Sequence, residues 1–246
     1  MTNLNRKKTA FYGDDLAYLH NRYYSGFLKT HAPRAIRMLR QAGIRRGVVC
    51  DLGCGGGQLS SALLEAGYEP IGIDRSRAMV KLARQQVKGA RFLHGSMTEM
   101  KLPGCRAALA LNEVMNYLPS RQLMARAFRN IFRALEPGGI FIFDIIGPLA
   151  EKLSRVGAHV AADWAVIVHI EQDPSTRKLV RYINSFLKAG RYYRRTFEIH
   201  RLAVFPRAKV EEMLRAAGFQ VRSYSGYAGK RLGQGRSVLV ARKPAR

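Results

Sequence analysis

The segment Val48-Val49-Cys50-Asp51-Leu52-Gly53-Cys54-Gly55-Gly56-Gly57 passes from a short apolar run straight into glycines. Gln58 to Ala66 then has helical periodicity and is closed by Gly67, so the unit reads as strand, loop, helix. Glycines in such a turn let the backbone approach a ligand closely, and the helix behind them presents unpaired N–H groups. Glycines at these positions also serve plain strand-to-helix packing. The next strand, Glu69 to Asp74, distinguishes the two uses by ending on a carboxylate about 20 residues further on, where an acid can accept both hydrogen bonds of a ribose diol. Asp74 can equally cap the following helix.

Working outward, Ser76 is a candidate N-cap for a helix from Arg77 to about Val87. Further strands are predicted over Ala90 to His94, Ala107 to Asn112 and Gly139 to Ile145, with a long amphipathic helix over Arg121 to Leu135. Strands alternating with helices imply an α/β fold with a doubly wound parallel sheet. The period then changes to two. Trp164 to Gln172, Leu179 to Leu187 and Tyr192 to Phe205 read as an antiparallel β-meander inserted before a helix over Arg207 to Ala217 and two closing strands, Phe219 to Tyr227 and Ser237 to Arg242. The expected organisation is an N-terminal helical cap (1–46), a ligand-binding core (47–147), the meander as a lid (148–205), and a return to the core (206–246).

The first motif, Val48 to Gly57, and the second, Ile71-Gly72-Ile73-Asp74-Arg75-Ser76, resemble those of the class I S-adenosylmethionine-dependent methyltransferases. Leu135 to Asp144 is similar to that family's turn before the fifth strand, and Val210 to Phe219 to the helix before its last hairpin. The resemblance is to the small-molecule branch and covers most of the chain. It implies a Rossmann-like, seven-stranded, mostly parallel sheet whose last strand, Ser237 to Arg242, runs antiparallel beside the fifth. It also implies S-adenosylmethionine as cofactor. By the same resemblance Asp51 orients the methionine ammonium, Gly53, Cys54 and Gly55 give close backbone access, and Asp74 and Arg75 meet the ribose. Ser96 and Met97 meet the adenine and Asn112 the methionine moiety. Apart from the resemblance, Tyr18, Tyr23 and Tyr24 are candidates to close the pocket, and equally a packing cluster at near-helical spacing. Two positions depart from the family pattern: Ser96 stands where an acid is usual, and Arg106-Ala107 replaces an aromatic-Asp pair.

Methyl transfer is an in-line displacement, so aligning the acceptor and excluding water matter more than a dedicated base. Asn112-Glu113-Val114-Met115-Asn116-Tyr117-Leu118-Pro119 follows the fourth strand and looks like the corresponding segment of amino-sugar and glycine N-methyltransferases, which makes Asn116 and Tyr117 candidate substrate-positioning residues. Asn116 also reads as a helix cap and Tyr117 as a core aromatic. His20, His169, Glu198 and His200 are the other polar candidates. Glu198 and His200 lie two apart on one strand and share a face. A lone strand histidine is more often structural than catalytic, and loss of His200 is expected to cost less than tenfold in activity.

Charge is the unusual property: 42 Lys and Arg against 17 Asp and Glu give +25. Such a surface attracts polyanions, so nucleic acid stays open as a partner, although the cations are spread along the chain and not gathered in a block. Arg177 to Lys209 holds ten of them with Glu198 as the one acid. No Asn/Asp-Pro-Pro-Tyr segment follows the fourth strand and no Pro-Cys nucleophile is present, so a small-molecule acceptor is preferred to RNA or DNA. A methyltransferase of protein and a non-catalytic cofactor binder are the remaining alternatives. The three cysteines, Cys50, Cys54 and Cys105, lack metal-ligand spacing, so no metal is expected. Without a secretory leader or an apolar run near 20 residues, no membrane partner is expected and the cytoplasm is the expected compartment. Nothing in the sequence fixes an oligomeric state.

Overall fold

The computed structural model describes residues 12–23 and 25–245, with only the backbone of residues 21–23 and 25. Two helices, α1 (Asp14–Tyr23) and α2 (Ser25–Gln41), precede the alternating core. The core runs β1 (Val48–Leu52), α3 (Gln58–Glu65), β2 (Glu69–Asp74), α4 (Arg77–Gln86), β3 (Arg91–His94), β4 (Cys105–Ala110), a 3-10 turn (Val114–Tyr117), α5 (Arg121–Ala134) and β5 (Leu135–Ile146). The Ser76 hydroxyl accepts from Met79 N at 3.2 Å and starts α4, and Ser120 does the same for α5 through Leu123 N at 3.2 Å. Then come β6 (Leu153–Val160), β7 (Trp164–Asp173), β8 (Lys178–Ala189), β9 (Tyr192–Ala203) and α6 (Arg207–Ala216). The chain ends with β10 (Gln220–Tyr224), the short hairpin β11 (Gly226–Tyr227) and β12 (Lys230–Arg231), and β13 (Arg236–Arg242).

Seven strands form one sheet in the order β10-β13-β5-β4-β1-β2-β3. Pairing is parallel from β5 to β3, and β13 lies antiparallel between β5 and β10. This is the doubly wound, Rossmann-like sheet expected from the motifs, with its antiparallel strand beside the fifth. Both faces are covered, which explains the unbroken apolar run of β5. Phe141, Phe143 and Ile145 pack with Met124, Phe128 and Ile131 of α5 on one side, while Ile140 and Ile142 pack with the α2 and α3 side chains Leu39, Leu59 and Leu63 on the other. Phe141 and Phe143 stack at 4.4 Å between ring centroids.

The meander is a separate four-stranded antiparallel sheet, ordered β6-β7-β8-β9. Three of its strands follow the period-two pattern; β6 does not, because it is an edge strand exposed along almost its whole length and carries no apolar alternation. Its order comes from the ladder to β7. The inner face of the sheet packs Trp164, Val166, Val168 and Ile183 against Leu16 and Leu19 of α1. Helix α1 thus lies between the meander and the core, where it also touches α4.

Candidate active site

The parallel strands end at a cleft whose floor is the glycine loop. Gly53 N and Cys54 N donate to Ile73 O at 2.7 and 3.2 Å, which ties the loop to β2. Asp74 accepts from Gly55 N at 2.9 Å on one oxygen and from Ser76 N at 2.8 Å on the other. Gly53 and Gly55 both have positive φ, 68° and 51°, for different reasons. A Cβ at Gly53 would lie 2.5 Å from Val114, so that glycine permits packing; at Gly55 it would meet only Met79 Sδ at 3.9 Å, so that backbone faces open space. Asp51 is 2% exposed beneath the loop and accepts from Ser60 Oγ at 2.7 Å. Burial, with the nearby Asp74 charge adding to it, pushes its carboxyl up to about 7. Burial also raises Asp74.

The far wall begins where β4 ends. Asn112 and Glu113 both take left-handed backbone, φ 68° and 60°, and both N–H groups are held by Asp144, at 2.7 and 2.9 Å. Asp144 is fully buried, also accepts from Tyr227 OH at 2.6 Å, and is pushed up to about 6 by burial. Glu113, likewise buried, is bridged by Arg181 from β8 and Arg236 from β13. The Asn116 amide faces away from the cleft. It donates to Ile146 O (2.8 Å) and Ala203 O (2.7 Å) and accepts from Ile146 N (3.0 Å), joining the turn to β5 and β9. Every donor of that amide is engaged by backbone, so Asn116 fixes the turn that carries Tyr117 and does not itself present a group to the cleft.

Tyr117 does line the cleft. Its hydroxyl lies 3.2 Å from His200 Nδ1, His200 Nε2 lies 3.0 Å from Glu198 Oε2, and Glu198 accepts from the backbone N–H groups of Tyr12 (2.9 Å) and Gly13 (3.0 Å). An ionised Glu198 can only accept, which puts the His200 proton on Nε2 and leaves Nδ1 to accept from the tyrosine. Tyr12 OH is 3.4 Å from Tyr117 OH, and the Tyr12 ring packs between His20 and His200 at centroid distances of 5.0 and 4.7 Å. Burial, followed by the charges of His200 and Arg181, lowers His20 to about 3, so it is a neutral ring in the cleft wall.

Of the residues predicted to meet the cofactor, Gly53, Cys54, Gly55, Asp74 and Arg75 line the cleft, as do Ser96, Met97 and Asn112. The Ser96 hydroxyl is engaged locally with Thr98 Oγ1 at 2.7 Å. Asp51 and His200 lie one layer behind. The Tyr23 side chain lies outside the described residues. Sequence reasoning missed Tyr12 and Gln58 among the lining residues. Gln58 follows Gly57 at the start of α3 and was legible from that position; Tyr12 carries no local signal, since only Glu198, far along the chain, places it. Arg106, the other departure from pattern, pairs with Glu136 at 3.5 Å on the surface, far from this cleft.

The methyltransferase-domain family matches residues 49–139. YqeM of Bacillus subtilis (strain 168), a methyltransferase by name, is 30% identical over 216 residues, covering 80% of this chain and 87% of its own. The chain belongs to the class I S-adenosylmethionine-dependent methyltransferases. Solved structures share the fold of this methyltransferase at lower identity. The sugar N-methyltransferase KedS8 from Streptoalloteichus sp ATCC 53650 aligns with a TM-score of 0.79 at 19% identity, over 99% of this chain and 100% of its own. CalS10 of Micromonospora echinaspora, an amino pentose methyltransferase solved with S-adenosylmethionine bound, aligns with a TM-score of 0.76 at 19% identity, over 99% of each chain.

S-adenosylmethionine is the cofactor of the methyltransferase, and the cleft fits it. The backbone at Gly55 is open, two carboxylates with raised affinity for protons underlie a site for a cationic ligand, and Ile73, Met79, Met97 and Leu118 supply apolar wall for a purine. Among the described residues no helix is long and apolar enough to cross a membrane, and no cluster of His, Cys, Asp and Glu is able to hold a metal.

Proposed function

We propose that the enzyme methylates a nitrogen or oxygen of a small-molecule acceptor held between the cofactor cleft and the inner face of the meander, with Tyr117, His200 and Glu198 removing the acceptor's proton. The observation that carries this reading is the hydrogen-bonded chain from the cleft-lining Tyr117 hydroxyl through His200 to a carboxylate anchored by two backbone N–H groups. S-adenosylmethionine supplies an electrophilic methyl group to a lone pair aligned with its sulfonium. Asp74 and Arg75 would hold the cofactor's ribose, Ser96 and Met97 its purine, and the Gly53, Cys54 and Asn112 region its methionine portion, with Asp51 acting on the ammonium as a charge from beneath the loop. An acceptor hydroxyl or ammonium passes its proton to Tyr117, whose own proton moves to His200 Nδ1, and Glu198 stabilises the resulting imidazolium. The meander acts as a lid that keeps water from this path.

The names of KedS8 and CalS10 point the same way, toward amine-bearing sugars or molecules of that size. The basic, aromatic tip of the meander supports nucleic acid less well. Tyr192, 65% exposed beneath the Arg191 guanidinium, lies eight residues along β9 from His200, about 26 Å at ~3.3 Å per residue. A tip that distant does not frame the reacting centre. The test is incubation of cell extract with methyl-labelled S-adenosylmethionine and the purified enzyme, followed by separation into small-molecule, nucleic-acid and protein fractions. Label is expected in the small-molecule fraction; label in RNA or protein would overturn the acceptor class.

A further inference from the structure

We propose that His31, Arg34, Lys230 and Arg236 form a subsite for a carboxylate or phosphate group behind the Leu28 and Asn112 wall of the cleft, which rests on the small-molecule reading above only for the idea that the acceptor carries that group. Three buried side-chain nitrogens in this cluster lack a hydrogen-bond partner among the described residues, His31 Nδ1, Arg34 Nε and Arg236 Nη1, and the one acceptor beside them that also lacks one, Glu113 Oε1, is held in an ion pair by Arg236. His31 itself is 7% exposed, gripped between the Phe27 ring at 4.3 Å and the Tyr227 ring at 5.5 Å. Buried polar groups are almost always hydrogen-bonded, so three open ones on α2 and β13, with both arginines within electrostatic reach of His31, mark a missing partner.

The chemistry of that partner follows from the local charge. Arg236 gives one nitrogen to Glu113, and its Nη1 is 3.8 Å from Asp144. Glu113 also receives Arg181, and Asp144 is occupied by Tyr227 and two backbone N–H groups. Both nearby acids are therefore engaged, while Arg34, Lys230 and Arg236 all act on His31 as positive charges that, after burial, disfavour its protonation. The cluster holds more cationic donors than anionic acceptors, which is the composition of an oxyanion site. Arg34 is partly exposed and Lys230 exposed, which gives an anion a way in from the β11–β12 hairpin. Leu28, one turn before His31 on α2, lines the cofactor cleft, and so does Asn112, whose N–H rests on Asp144. The subsite thus lies one residue layer behind the cleft wall formed by Leu28 and Asn112, and Lys230 opens it to the groove shared with Met38, Gln41 and Arg242.

The test uses inorganic phosphate on the intact enzyme at constant ionic strength. Phosphate is expected to raise Tm and bind in the millimolar range, with at least a tenfold loss in Arg34→Gln and in Lys230→Gln; Arg191→Gln, which removes one charge at the meander tip, should leave binding unchanged. Equal binding by all four proteins would overturn the subsite. S-adenosylmethionine affinity should be unaffected by the Arg34 and Lys230 substitutions, which separates the subsite from a disturbed fold. Once labelled product identifies the acceptor, phosphate competing with it, raising KM at constant kcat, shows that the acceptor supplies the anion. Phosphate binding without competition assigns the subsite to a free anion. Because phosphate binding needs no acceptor, label appearing in the RNA fraction would sink the small-molecule reading and leave this result standing on its own.

Discussion

Asp51 and Asp74 lie side by side under the glycine loop, and the ionised form of Asp51 is the costly one in the free enzyme. Its folded value, about 7, stands above its ordinary 3.8, so its contribution to stability falls as pH rises across that window. A cationic ligand reverses the penalty. Affinity for S-adenosylmethionine should therefore rise with pH toward 7 and level off above it, with proton release visible by calorimetry in buffers of different ionisation enthalpy. Asp51→Asn should bind more weakly with a flatter profile, yet melt a few degrees higher than the parent at pH 8 when free of ligand. An unchanged pH profile in that variant would remove the carboxylate from cofactor binding. Tyr117 and His200 make a second pair of residues with one role. Both Tyr117→Phe and His200→Ala should lower kcat by roughly 10²-fold or more and keep the cofactor Kd, as single-turnover rates and calorimetry would read. That exceeds the less-than-tenfold effect expected from the sequence, because Glu198 is near in the chain but Tyr117, which connects His200 to the cleft, is 83 residues away. An effect below tenfold in either variant would leave the chain of hydrogen bonds a structural one.

Among the elements, the glycine loop separates packing from ligand access. Gly53→Ala must displace Val114 and adopt positive φ, so it should cost stability and drop Tm; Gly55→Ala should fold with a smaller loss, since only the backbone strain of roughly 1–2 kcal/mol applies. The second variant should instead lose cofactor affinity, read by calorimetry at matched folded fraction. Asn116→Ala strips the turn after β4 of three hydrogen bonds and leaves buried backbone groups of Ile146 unpaired, for a cost of about 2–4 kcal/mol. A shift of Tm below 2 °C would deny it that role. The strands and helices that bind the cofactor were legible because each carries its own signal: apolar runs ending on Leu52 and Asp74, glycines between, and Ser76 as a cap. β6 was not, since its exposed Ser154-Arg155-Val156-Gly157 has neither alternation nor burial. Asn116 was placed on the right turn with its amide aimed the wrong way, because its partners on β5 and β9 are 30 and 87 residues distant.

For the whole molecule, the residues proposed to hold the cofactor come from one contiguous stretch, and those proposed to face the acceptor are assembled from the N-terminal segment, the turn after β4, the meander and the last strand. Local pattern could reveal the first and not the second; Tyr12, Glu113 and Arg236 gain their meaning only from contacts across the chain. The +25 charge is spread over both halves. RNA should consequently bind weakly, without sequence preference, and be released steeply as salt rises from 50 to about 200 mM, while turnover of the small acceptor at fixed salt should not require it. Sequence-selective RNA binding that persists at high salt would contradict this.

The position of β13 has one more consequence. Residues 236–242 slide between β5 and β10, and Arg236 at the head of that strand reaches the buried Glu113 behind the cleft. During synthesis the sheet cannot close, nor the loop after β4 settle, until those residues have left the ribosome. A chain cut before Arg236 would leave β5 without its antiparallel neighbour and Glu113 with one arginine in place of two.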